Sequence, residues 1–140
     1  MNSAVTCISA GGEYAKAAND YREVVRLRPN DADSQIGYAW LLLKSGDKSV
    51  QSGVAATQAA KTACELGSWT NSANIEILAA ACAMAGEYNR AVEYEKQVLN
   101  FEGLKEEDRE RMMKALWRYD DDRVRYDSTN RPPVKSESNN

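Results

Sequence analysis

The tripeptide Gly12-Glu13-Tyr14 recurs as Gly86-Glu87-Tyr88, and its surroundings recur with it. An alanine stands five residues after each glycine, at Ala17 and Ala91. A valine follows at twelve, at Val24 and Val98, and a large apolar residue at fifteen, at Leu27 and Phe101. A weaker copy, Gly46-Asp47, lies 34 residues after Gly12. Self-similarity at that period, with small residues at fixed offsets, is what stacked pairs of helices look like in sequence. One such pair cannot bury its apolar face alone, so the pattern predicts an array and not an isolated hairpin.

Working outward, the spacing predicts seven helices. Residues 2–10 read as a short helix stopped by Gly11-Gly12. Glu13 to Arg28 read as a second, with Tyr14, Ala17, Ala18, Tyr21, Val24 and Val25 at intervals of three and four, ended by Pro29. A third runs from a cap at Asp33 or Ser34 to about Ser45, and its Ile36, Tyr38, Trp40 and Leu41-Leu42-Leu43 make most of its circumference apolar. The small-residue pattern then resumes as Ala56, Ala60 and Ala63, five residues late against Gly12-to-Ala17. This places a five-residue insertion within the Lys48–Gly53 stretch, in the turn, where extra length is tolerated because loop-closure entropy grows slowly. Gly67–Thr70 is a loop, and Asn71 or Ser72 caps a fifth helix ending at Gly86. Tyr88–Phe101 form the sixth. Glu106-Glu107-Asp108 put negative charge on the first turn of a seventh, where the macrodipole favours it.

The totals agree. The 140 residues are 43% hydrophobic and 28% charged, with only three prolines, which suits one all-α domain. A net charge of -3 without a basic stripe argues against a nucleic-acid partner. Histidine is absent, which removes the commonest general base and metal ligand. Cys7, Cys64 and Cys82 are odd in number and widely spaced, so neither a disulfide framework nor a zinc site is expected. Asp120-Asp121-Asp122 lacks the spacing and glycine of a calcium loop and reads as a solvated helix end. No metal, cofactor or catalytic residue is expected, and no enzyme activity. No signal peptide or roughly 20-residue apolar span appears, so the expectation is a cytoplasmic protein without membrane partners.

These residues resemble the tetratricopeptide (TPR) family. The resemblance rests on the Gly-Glu-Tyr turns, on Pro29, and on the small residues Ala17, Ala39, Ala56, Ala60, Ala63, Ala79, Cys82 and Ala91. The stretches Ala39–Leu42, Ala63–Leu66, Trp69, Ala79–Ala81 and Leu116–Tyr119 are similar to the C-terminal TPR segment of planctomycete-type bacterial repeat proteins. The resemblance implies a right-handed α-solenoid of about three helix pairs plus a C-terminal capping helix. It divides 1–126 into repeats at about 1–31, 32–70 and 71–103 and a cap at 104–122, with 127–140 as a disordered tail.

The resemblance also implies a function. First helices in that family line a concave groove that takes a peptide or a partner helix. By register the groove here would hold Ile36, Trp40, Leu43 and Lys44 from repeat two, and Glu76, Ile77, Ala80 and Met84 from repeat three. Trp40 is the candidate anchor, with burial as ordinary core the alternative. Lys44 is the one cation among these positions, so an apolar or helical ligand is expected and a carboxylate clamp is not. Trp69 reads as folded back over the junction of repeats two and three. The expected role is a scaffold or interaction module for a protein or peptide partner. The alternative is a spacer segment that self-associates through the array ends, and a small catalytic helical domain is the least favoured class.

Overall fold

The computed structural model describes residues 3–46 and 49–130, and among side chains 12–46 and 49–127. The described residues form six α-helices and no strand. They are α1 (Ser3–Leu27), α2 (Ala32–Lys44), α3 (Val50–Leu66), α4 (Ser72–Met84), α5 (Tyr88–Leu99) and α6 (Glu106–Asn130). The described residues are all-helical, as expected, with one helix fewer than the spacing predicts.

The missing break is at Gly11-Gly12, where α1 runs straight through. The same tripeptide therefore adopts two conformations. Gly86 sits at φ 84°, a left-handed angle that glycine reaches without strain. It closes α4 with Glu87 N–H donating to the Cys82 carbonyl at 2.8 Å. That turn lets Ile75, Leu78 and Cys82 meet Ala91, Val92 and Val98 in the core. The segment ahead of Gly12 has only Val5 and Ile8 as bulky aliphatic residues, so folding back would gain little. Helix continuation keeps every backbone bond, and the expected first helix pair at 1–31 is instead one long helix.

Other boundaries follow the local chemistry. Pro29 stops α1, and its carbonyl accepts from the Gln35 side chain at 2.8 Å. The cap position of α2 is Asp31, earlier than the expected Asp33 or Ser34. Ser34 instead donates to the Asp31 carboxylate at 2.8 Å. Asn71 caps α4 as expected, accepting from the backbone of Ala73 and Asn74.

The five-residue insertion is divided. Residues 45–49 connect α2 to α3, two more than the 85–87 connection of α4 to α5. The other three lengthen α3, which starts six residues before Ala56 where α5 starts three before Ala91. Gly53, expected in the turn, is thus inside α3. A Cβ there would fall 2.5 Å from the Ala85 backbone nitrogen, so the α3–α4 approach depends on its absence. Asp47 and Lys48 lie outside the described residues.

Each helix packs on the next in sequence, and α2 also packs on α4. The short connections make consecutive helices antiparallel, so α2 and α4 run in the same direction. Alanines at the crossings (Ala39, Ala56, Ala60, Ala79, Ala91) are fully buried, which lets the backbones come close. Helix α6 covers α5 through Met112 and Tyr119. It continues to Asn130, so 127–130 are helical where a tail was expected, and 131–140 lie outside the described residues.

Candidate functional site

Side-by-side packing of α2 and α4 puts the C-terminal half of α2 beside the inner stripe of α4. An open groove of about 1170 Å³ lies over them. Seven of the eight residues expected there line it: Trp40, Leu43 and Lys44 from α2, with Glu76, Ile77, Ala80 and Met84 from α4. Ile36 does not line it, and packs partly buried against the core one turn before Trp40. Trp40 is 39% exposed, so it is a surface residue and not core. Tyr14 of α1 meets it edge-on at 5.7 Å between ring centroids. The Lys44 ammonium lies 5.6 Å from the centre of the indole ring.

The opposite wall is α6, which the sequence reading treated only as a cap. Glu107, Glu110, Arg111, Lys114, Arg118 and Asp122 fall at intervals of three and four and face the groove. The expected apolar groove is therefore apolar on its α2–α4 side and charged on its α6 side. The view of Lys44 as its one cation is corrected by Arg111, Lys114 and Arg118. The signal was present in the 3–4 spacing of these charges. It was masked because a polar stripe on a terminal helix reads first as a solvated face.

Arg111 donates to the Glu76 carboxylate across the groove floor and lies 3.5 Å from Asp108. Among the described residues, Lys44, Lys114 and Arg118 make no ion pair. Arg118 instead lies 5.2 Å from the centre of its neighbour Tyr119's ring. Behind this wall, Glu95 of α5 is fully buried, and neither carboxylate oxygen has a hydrogen-bond partner. Burial first, and the Glu76 charge second, push its pKa up to about 7, against the pull of Arg111 and Arg118. Tyr119, also buried, is raised by desolvation and then by Glu95.

Outside the groove, Trp69 is folded back as expected, stacked on Tyr94 of α5 with ring planes 14° apart and centroids 5.9 Å apart. Cys64 and Cys82 are buried, and burial pushes both thiols up to about 11. The side chain of Cys7 lies outside the described residues. Each aspartate of 120–122 faces an arginine, Arg123 or Arg125. Among the described residues no group of three His, Cys, Asp or Glu side chains is placed to hold a metal, and no helix is long and apolar enough to cross a membrane. No protein-family model matches the sequence, and no curated protein matches it either.

Proposed function

We propose that this chain is a protein-interaction module, a TPR-like right-handed solenoid that takes a peptide or partner helix in the groove between α2, α4 and α6. The observation that carries this reading is the exposed Trp40. It stands over an apolar floor of Leu43, Ile77, Ala80 and Met84 in an open groove of about 1170 Å³. Large exposed aromatics in a concave apolar setting are the usual anchors of an interface. The reading is of a binder and not an enzyme. The two buried thiols held near 11 are poor nucleophiles, and the groove charges stand on open helix faces.

The test is affinity capture with wild type and Trp40→Ala, after circular dichroism confirms that both are helical. The proposal expects at least one protein captured by wild type and lost with Trp40→Ala. Retention of every captured protein by a folded variant overturns it.

A second reading has its own observation. Helix α1 exposes Tyr21, Val24 and Leu27, the last at 65%. Self-association through this end of the array would make the chain a spacer in a larger assembly. Light scattering on wild type and a Val24→Lys/Leu27→Lys variant tests it. A concentration-dependent dimer abolished in the variant supports it, and a monomer throughout overturns it.

A further inference from the structure

We infer that the partner of the groove is an amphipathic helix whose apolar face is flanked by acidic residues at one end only. This rests on the reading of the groove as a docking site, and it specifies the partner's charge and direction. Helices α4 and α6 run the same way. Glu76 of α4 meets Arg111 of α6, and Tyr88, just past the end of α4, meets Tyr126 further along α6 with ring centroids 5.8 Å apart. Since α2 also runs with α4, the C-terminal halves of all three helices share one end of the groove.

The cations without an ion pair lie from the middle of the groove to that end. Lys44 is the last residue of α2, while Lys114 and Arg118 lie one turn apart beyond Arg111. At the other end stand Glu107 and Glu110, and Glu76 between them and the floor is already neutralised by Arg111. Asp122 lies past Arg118 and faces Arg125 at 3.8 Å, a guanidinium that also pairs with Asp121 at 2.6 Å. The lining thus carries a charge gradient along its length, over a floor that is apolar apart from the Glu76–Arg111 pair.

An acidic flank on the partner would meet the three cations. At the Glu107–Glu110 end the same flank would be repelled, so only one direction of insertion brings opposite charges together. The partner helix's dipole sets its direction. Its negative C-terminus is favoured beside Lys44, Lys114 and Arg118, whose full charges exceed the partial negative ends of α2 and α4 at the same place, and its positive N-terminus beside Glu107 and Glu110.

The experiment is selection from a displayed library of amphipathic helices. Apolar positions vary among Leu, Ile, Met, Phe and Ala, and flanking positions among Glu, Gln and Lys. Selection uses the full chain, with Trp40→Ala as counter-selection. The expected outcome is enrichment of Glu at the C-terminal flanks, and selected helices that bind about tenfold tighter than their Gln-flanked versions. The preference should shrink between low and high salt, and vanish in Lys114→Gln/Arg118→Gln. Trp40-dependent binders with Gln or Lys at those flanks, or with Glu at either end indifferently, overturn the charge and direction but leave the groove. If selection yields no Trp40-dependent binder, the groove reading falls as well.

Discussion

Arg111 of α6 and Glu76 of α4, 35 residues apart in sequence, form an ion pair that joins two helices. Arg26–Glu23, Arg90–Glu87, Arg111–Asp108, Arg123–Asp120 and Arg125 with Asp121 and Asp122 pair within a helix or at its start, three or four residues apart. This pair ties the two walls of the groove together. It also leaves Glu95, immediately behind it, facing one carboxylate and two guanidiniums without bonding to any of them.

Glu95 makes stability pH-dependent. Its folded pKa of about 7 lies above the ordinary 4.5, so between these values the folded state holds a proton that the unfolded chain releases. Stability from this group is therefore fully present below pH 4.5 and is lost as pH rises through 7, by up to about 3 kcal/mol. Glu95→Gln keeps the shape and removes the titration. Guanidinium unfolding should show the variant equal to wild type near pH 4.5 and more stable at pH 8. Equal stability at both pH values would show that Glu95 is not desolvated as described.

Gly12 and Gly53 should respond in opposite directions to alanine. Gly12 is helical with no atom near a would-be Cβ, so Gly12→Ala should stabilise α1 by about 0.5–1 kcal/mol. Were the chain to turn at Gly12 as it does at Gly86, the same change would destabilise. Gly53→Ala forces a methyl against the Ala85 backbone and should cost about 3 kcal/mol. Thermal melts of the two variants check both signs.

Ser68 and Trp69 sit at φ 58° and 60°, left-handed angles that cost a non-glycine residue about 1 kcal/mol. The turn is held by Trp69 N–H bonding the Cys64 carbonyl at 2.8 Å and by the stacking on Tyr94. Ser68→Gly should raise the melting temperature by a few degrees. Trp69→Ala should lower it by more, through loss of about 2 kcal/mol of stacking and burial. A neutral Trp69→Ala would mean that the ring contributes nothing to the α3–α5 junction.

The thiols of Cys64 and Cys82 should be silent in the folded protein. In a Cys7→Ser background, a thiol reagent at pH 8 should label neither until denaturant is added, and both thereafter. Rapid labelling of either in the native state would contradict its burial.

The sequence by itself determined α2, α4, α5 and α6 and the apolar stripes of the helices. Periodicity at three and four, Pro29 and the cap at Asn71 are local signals that need no tertiary partner. It also brought out seven of the residues that line the groove, because residues one turn apart on a helix share a face wherever that helix is placed. Only the tertiary structure decided the rest. Glycine is permitted in both a helix and a left-handed turn, so Gly-Glu-Tyr could not announce a turn at Gly86 and none at Gly12. That choice depends on whether the segment ahead has enough apolar surface to make folding back favourable. The charged wall was equally illegible. Lys114 and Arg118 read as a solvated stripe until α6 is laid alongside α4, and Glu95 reads as one more exposed glutamate until α4 and α6 close over it. Sequence spacing fixes which face of a helix a residue occupies, and only packing decides what that face meets.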